Sequence, residues 1–205
     1  YGISMNLAVK IYTKYGQEMY RIIKENPYKL ADDISGVGFK IADEIAEKAG
    51  ISRDSDFRIK SAIQYLLSVA GTNGHACIPI AELLNATKDM LVLSDIDMEK
   101  YLMDMQIEKR IIVKEKLVGE EMVKMVYASN YYYTELNIAS MLCDLDIRDN
   151  IPTEKIKKKL ASIEAKAGIE LDELQRQAVI TAMNSGLMII TGGPGTGKTT
   201  TINTI

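Results

Sequence analysis

Glu25-Asn26-Pro27-Tyr28-Lys29-Leu30-Ala31-Asp32-Asp33-Ile34-Ser35-Gly36-Val37-Gly38-Phe39-Lys40-Ile41-Ala42-Asp43 decides how this chain is built. Asn26-Pro27 reads as a helix start, because Asn can cap and Pro suits a first turn whose N–H is unpaired anyway. Leu30 and Ile34 give that short helix an apolar side. Ser35-Gly36-Val37-Gly38 then forces a tight corner. A second helix follows, with Ile41, Ala42, Ile45, Ala46 and Ala49 on one face and Lys40, Asp43, Glu44, Glu47 and Lys48 on the other. Gly50 ends it.

Helical spacing continues on both sides of this hairpin. Ala8, Ile11, Tyr12 and Tyr15 recur in register, as do Met19, Ile22 and Ile23. Asp56 to Ala70 predicts a long amphipathic helix through Ile59, Ala62, Ile63, Leu66, Leu67 and Ala70, followed by a loop from Gly71 to Gly74. Helices are expected after Pro79, carrying Leu83 and Leu84, and after Asp97, carrying Met98, Tyr101, Leu102 and Met105. Ile111-Ile112-Val113 and Met122 to Tyr127 flank a polar turn at Gly119 and read as a β-hairpin. Helices followed by a hairpin is the order of a winged-helix domain. Further helices are predicted over Thr134–Asp146, from Pro152 with Ile156, Leu160, Ile163 and Ala167 inward, and over Leu171–Ser185. Leu187-Met188-Ile189-Ile190 reads as a buried strand.

Composition narrows the possibilities. The chain has 205 residues, enough for one large domain or two small ones. Its net charge of −3 excludes a polycation that grips nucleic acid over its whole surface, though not a local phosphate site. No apolar stretch approaches the ~18 residues of a membrane span. Cys77 and Cys143 stand far apart without a CxxC spacing, so a disulfide framework or thiolate zinc site is not expected. The single histidine, His75, excludes any two-histidine metal site and reads as structural. With no signal peptide visible, the expected location is cytoplasmic.

Gly192-Gly193-Pro194-Gly195-Thr196-Gly197-Lys198-Thr199 fits GxxxxGK[ST], between an apolar run and an incipient helix. Glycines let backbone N–H groups turn inward around phosphate oxygens. Lys198 can reach the β- and γ-phosphates of ATP, the Thr199 hydroxyl can ligate Mg²⁺, and the helix start adds partial positive charge. Upstream, Gln175 in Leu171-Asp172-Glu173-Leu174-Gln175-Arg176-Gln177-Ala178-Val179 carries an amide able to accept from and donate to one edge of adenine.

Three other features admit two readings each. Ile34-Ser35-Gly36-Val37-Gly38 presents backbone N–H groups at a helix start, suited to one DNA phosphate without base reading, with Lys40 adding charge; it also fits a plain helix–helix corner. The acidic neighbours Asp32, Asp33, Asp43 and Glu44 count against strong DNA binding. Lys155, Lys157, Lys158 and Lys159 could meet phosphate or form a solvated helix face. Tyr131-Tyr132-Tyr133 could stack on bases or pack beside the hairpin.

Taken in order, the Glu25–Asp43 stretch, Gly74-His75 with Pro79, the Gln175 segment and Thr191 to Thr200 resemble RecD-like superfamily 1 DNA helicases of the long form, with an N-terminal helix-hairpin-helix region. The resemblance spans the chain and implies a mainly α fold. A helix-hairpin-helix domain would occupy 1–55 and a winged-helix-like domain 56–133. Linker helices and the truncated start of a RecA-like α/β P-loop domain would occupy 134–205. Tyr1-Gly2-Ile3 would be the back of a preceding hairpin. The implied activity is ATP-dependent unwinding of DNA with 5′ to 3′ polarity, with a role in DNA repair. The implied nucleotide site is Gln175 with Gly193, Pro194, Gly195, Thr196, Gly197, Lys198, Thr199 and Thr200. Lys198 would be catalytic and Thr199 the magnesium ligand. Gly36, Gly38 and Lys40 would hold single-stranded or forked DNA, and the N-terminal helices could take a protein partner. The acidic Mg²⁺ and water-positioning residues, the arginine finger and the second motor domain would lie beyond Ile205. Residues 1–205 alone are therefore expected to be inactive, with 187–205 poorly ordered or ordered by self-association. A partner-binding adaptor and a P-loop ATPase that is not a helicase remain the other readings.

Overall fold

Helix α4 (Phe39–Ala49) belongs to two cores at once, and that arrangement organises the N-terminal part of the chain. The computed structural model describes residues 2–93, 96–146 and 149–205; Tyr1, and with it the first residue of the suggested hairpin remnant, lies outside them. The chain divides into two units, Tyr1–Glu135 and Leu136–Ile205.

In the first unit, α1 (Met5–Tyr15), α2 (Met19–Glu25), α3 (Lys29–Asp33) and α4 close over Ile11, Ile23, Leu30, Ile34, Val37 and Ile45. Phe39, Ala42 and Ala46, one helical face further round α4, join a second and larger core. That core takes Ile59, Ile63 and Leu67 from α5 (Asp56–Thr72), Leu83 and Leu91 from α6 (Ile80–Leu91), and Tyr101, Leu102 and Met105 from α7 (Met98–Ile107). It is completed by Ile111, Val126 and Ala128 from a small sheet. Strands β1 (Cys77–Pro79), β2 (Ile111–Val118) and β3 (Glu121–Ala128) are antiparallel in the order β1-β3-β2. The β2–β3 register pairs Ile111 with Ala128 and Val118 with Glu121. Helices around a three-stranded sheet that ends in a long hairpin make the winged-helix arrangement expected from the sequence.

A polar fork pins α4 to α5 beneath these cores. Arg58 donates from Nε to Asp43 Oδ1 at 2.8 Å and from Nη2 to Oδ2 at 3.0 Å. Tyr28 Oη donates to the same Oδ1 at 2.6 Å. Nη1 of Arg58 donates onward to the Arg53 carbonyl at 2.9 Å and the Leu91 carbonyl at 3.4 Å. Burial pushes the Asp43 carboxyl up, but the Arg58 and Tyr28 hydrogen bonds outweigh it and hold it below its ordinary value.

Several local readings shift. Asn26 ends α2 instead of capping α3, and its side-chain oxygen is buried without a partner; α3 starts from Tyr28. Ile41 is 37% exposed because the apolar face of α4 centres on Phe39, Ala42 and Ala46. Helix α5 runs through Gly71, where a Cβ would lie 2.3 Å from the Tyr131 hydroxyl, so that glycine admits the tyrosine. Helix α8 (Ser129–Leu145) starts five residues before Thr134 and absorbs all three tyrosines. Ser129 anchors that start, its N–H donating to the Arg110 carbonyl and its hydroxyl to that of Lys109.

The second unit holds α9 (Thr153–Ala167), α10 (Glu173–Ala182) and α11 (Lys198–Thr204). Leu160, Leu171 and Val179 form its core, with Ile169 and Met183 against them. Ala167, expected inward, is exposed. Asn184 clamps the entry to α9, accepting from Ile151 N–H at 2.7 Å and donating to the Ile151 carbonyl at 3.2 Å. The buried strand expected at Leu187–Ile190 is not formed: the segment has no regular secondary structure, with Leu187 and Ile189 exposed. A strand needs a neighbour to take its backbone hydrogen bonds, and no described segment pairs with this one. Among the described residues no helix is long and apolar enough to cross a membrane.

Asp43→Asn should lower stability at neutral pH by on the order of 1–2 kcal/mol, the low end for charged hydrogen bonds because the carboxylate is 26% exposed. The folded-state pKa is depressed, so the native contribution is complete above the unfolded value of ~3.9 and is lost as pH falls through the lower folded value. The variant should therefore show a flatter acid-side fall below about pH 4, measured by urea denaturation across pH with helicity as the signal.

Candidate nucleotide site and hairpin

The glycine-rich loop lies between the irregular 187–190 segment and α11. Gly195 and Gly197 have φ of 77° and 72°, values that only glycine adopts freely. Thr196 Oγ1 donates to the Gly193 carbonyl at 2.9 Å and tightens the turn. The Lys198 ammonium folds back over the loop and donates to the carbonyls of Gly192 at 2.7 Å and Gly193 at 2.5 Å. Both carbonyls are exposed, so the lysine spends its donors inside the loop without being buried. The Thr199 and Thr200 side chains are exposed, whereas Thr201 and Thr204 are buried and donate back to the carbonyls of Gly197 and Thr200. Pro194 sits at the exposed tip.

Gln175 meets this loop from α10. Asp172 and Gln175 form a reciprocal cap: Gln175 N–H donates to Asp172 Oδ1 at 2.8 Å, and Asp172 N–H donates to Gln175 Oε1 at 2.9 Å. The free end of the amide, Nε2, donates to the Thr196 carbonyl at 3.4 Å. A Cβ on Gly197 would lie 2.2 Å from Nε2, so the absence of a side chain there lets the amide reach the loop. Gln175, Ala178, Gly192, Thr196 and Lys198 line one cleft of about 760 Å³. That size suits a nucleotide. The donor set fits as well: an ammonium, glycine N–H groups and a threonine hydroxyl for a magnesium-bound phosphate chain, and an amide for a base. Among the described residues no three His, Cys, Asp or Glu side chains cluster as a metal site, and the expected magnesium ligand Thr199 lies outside the residues that line this cleft, at the exposed start of α11.

Behind the cap, Glu164 of α9 accepts three donors on one oxygen. They are Leu171 N–H at 2.8 Å, Arg176 Nη2 at 3.1 Å and Arg176 Nε at 3.3 Å. The Leu171 N–H, then Arg176, hold its carboxyl below the ordinary value. Glu164 has no signal in the sequence, whereas the cap has one in the spacing Asp172-x-x-Gln175.

In the first unit, Gly36 turns the hairpin with φ of 90°. Gly38 differs: its φ is −100°, which any residue adopts, and nothing lies within 4 Å of where its Cβ would be. What Gly38 provides is clearance in front of the first turn of α4, where no side chain caps the N–H groups. Lys10 of α1 donates to the Ser35 carbonyl at 3.2 Å and brings a cation to the turn from 25 residues away, a distance that hid it in the sequence. Lys40, two residues after Gly38, is exposed. The acidic neighbours are mostly engaged. Asp43 is forked to Arg58, Asp33 accepts the Tyr15 hydroxyl at 2.7 Å, and Asp32 accepts Arg110 Nη2 at 2.9 and 3.0 Å. Glu44, Asp32 and Asp33 are exposed, but Asp32 and Asp43 are tied to arginines, and the case that acidity there opposes an anion is correspondingly weaker.

The remaining candidates resolve locally. Lys155, Lys157, Lys158 and Lys159 are all exposed on α9. Tyr131 packs against Gly71, and Tyr132 stands edge-on to both Tyr127 and Tyr133 at 5.4 Å, which is packing beside the hairpin. The His75 side chain is exposed, and both cysteines are free.

Comparison with known proteins agrees with this geometry at both ends of the chain. Residues 1–77 match the family model of the ATP-dependent RecD2 DNA helicase HHH domain. Residues 175–205 match the AAA domain model, beginning at the glutamine that reaches the loop. The whole chain is 23% identical, over 213 residues, to an ATP-dependent RecD2 DNA helicase of Deinococcus radiodurans. It spans 29% of that relative's length.

Proposed function

We propose that this chain, which is related to the RecD-like helicases at both its helix-hairpin-helix and its AAA segments, is the part of an ATP-dependent 5′ to 3′ DNA helicase that binds ATP and guides DNA. The carrying observation is the Gln175 amide set against Thr196 and Gly197 of a GxxxxGKT loop, in one cleft. A candidate base-reading amide and a candidate phosphate-holding loop thereby share one nucleotide-sized cleft.

The chemistry assigned to each residue follows from what it can donate. Lys198 exchanges the carbonyls of Gly192 and Gly193 for phosphate oxygens and stabilises the charge that grows on the transferred phosphoryl group. The N–H groups of Gly193 to Thr200 cradle the phosphates, and the exposed Thr199 hydroxyl is the chain's magnesium ligand. Bound Mg-ATP supplies the cleavable phosphoanhydride bond. Gln175 selects adenine. At the other end, the hairpin of Gly36 and Gly38, with Lys40 and Lys10 beside it, takes one backbone phosphate of single-stranded or forked DNA. The helix-hairpin-helix part, to about residue 55, and the winged-helix part, to about 133, form the guide. The P-loop part from about 134 belongs to a RecA-like motor, and the protein works in the cytoplasm. The pairing of Asp32, Asp33 and Asp43 weakens the adaptor reading. The match of residues 1–77 favours a helicase over another P-loop ATPase.

Lys198→Ala in the full-length protein should reduce DNA-stimulated ATP hydrolysis by about 10²–10³-fold and leave the melting temperature unchanged, as measured by steady-state turnover at saturating DNA and by calorimetry. Near-normal turnover would remove the assignment.

Gly38→Val should weaken binding of forked DNA at low salt by about tenfold, with a stability loss of no more than about 1 kcal/mol from the poorer N-cap, since nothing lies within 4 Å of where its Cβ would be. Gly36→Ala should cost about 1 kcal/mol of stability through its left-handed φ. An unchanged fork affinity in Gly38→Val, measured by fluorescence anisotropy, would make the hairpin a packing element.

A further inference from the structure

Leu171 is 2% exposed and packs between Leu160 and Val179. Its N–H stands at the entry to α10, in a place where an unpaired donor would be costly. Glu164 Oε1 accepts that N–H and also both Arg176 donors. One oxygen therefore ties residue 171, before the Asp172 cap, and residue 176, directly after Gln175. The cap ties Gln175 to Asp172 between those two points. Gln175 is framed on both sides, and its amide is pressed against a loop that would clash with it if Gly197 carried a Cβ.

The framing also settles what the amide has left to offer. A glutamine side chain has two acceptor sites and two N–H donors. One acceptor site is used by Asp172 N–H and one donor by the Thr196 carbonyl. One acceptor and one donor remain. That is the pair needed by the adenine edge, which presents an amino donor beside a ring-nitrogen acceptor. Guanine presents two acceptors there and cannot satisfy the same pair.

We propose that Glu164 is the positioning residue for base selection: it never touches the nucleotide, and through Leu171 and Arg176 it holds Gln175 at the depth where its one free acceptor and one free donor face the base. The inference rests on the reading of Gln175 as the adenine contact. Glu164 then governs affinity for ATP against GTP and leaves the phosphate chemistry of Lys198 alone.

The test uses full-length protein and DNA-stimulated hydrolysis of ATP and of GTP by Glu164→Ala, Glu164→Gln, Gln175→Ala and the Glu164→Ala/Gln175→Ala double variant, with a melting curve for each. Glu164→Ala should raise KM for ATP about tenfold, change kcat less than about twofold, and move KM for GTP less than about twofold. Glu164→Gln keeps an acceptor for Leu171 N–H and should return KM for ATP to within about threefold of the parent. The double variant should discriminate no worse than Gln175→Ala alone, because Glu164 acts through Gln175. Parallel rises in KM for both nucleotides, a loss confined to kcat, or additive losses in the double variant would overturn the proposal. Gln175→Ala with an unchanged ATP-to-GTP ratio would remove the adenine reading and this inference together. A changed ratio there with none in Glu164→Ala would remove the inference alone. If Glu164→Ala fails to fold, Arg176→Met, which breaks one of the two ties, carries the same comparison: a lowered ATP-to-GTP ratio supports the proposal and an unchanged one overturns it.

Discussion

A carboxylate that accepts several donors at once is the device on which both units depend. In the first unit it is Asp43. The hydrogen bonds from Arg58 and Tyr28 converge on it, and α4 can thereby serve two cores: Ile45 faces one, while Phe39, Ala42 and Ala46 face the other. Lys40, Glu44, Glu47 and Lys48 of this helix are exposed, but a carboxylate held half-buried beside its apolar faces needs its charge satisfied locally. The fork does this while extending through Arg58 to the carbonyls of Arg53 and Leu91. In the second unit Glu164 plays the same part for a smaller core, drawing the start of α10 onto α9. Removing either acceptor leaves several donors without partners, which costs more than the net worth of any one of the bonds.

The nucleotide loop is built on a different constraint. Its glycines allow positive φ at Gly195 and Gly197 and close approach of Gln175, and the lysine lies across its own loop carbonyls. Those glycines are exposed and Lys198 is only half-buried, so an incoming phosphate chain can compete for the ammonium with carbonyls that water can also reach. The loop keeps its form through Thr196, the Thr201 bond to Gly197 and the contact with Gln175. No sheet takes part in this. The backbone around Leu187–Ile190 pairs with no described strand, and the loop nonetheless closes and α11 forms over Lys198–Thr204.

Legibility in the sequence followed the range of the interaction. Helices with clean 3.6-residue periodicity were readable, among them α1, α5, α6 and α7, and so was the β2–β3 hairpin around Gly119. The phosphate loop and Gln175 were readable because their residue types are dictated by local chemistry. Contacts between distant segments were not. Lys10 reaches Ser35 across 25 residues, Arg110 reaches Asp32 across 78, and β1 exists only because Cys77–Pro79 pairs with β3. The acidic residues near the hairpin looked like a barrier to phosphate when counted by sequence. Their partners Arg58, Tyr15 and Arg110 come from elsewhere in the fold. Leu187–Ile190 misled in the opposite sense: an apolar run has strand propensity, but only a partner makes it a strand.

The central claim is that this cleft and this hairpin belong to one directional DNA motor. Unwinding by the full-length protein of two matched duplexes, one with a 5′ single-stranded tail and one with a 3′ tail, tests it most directly. The account predicts strand separation of the 5′-tailed duplex that requires ATP and magnesium, with little on the 3′-tailed duplex or with GTP. ATP hydrolysis without strand separation on either substrate would contradict it.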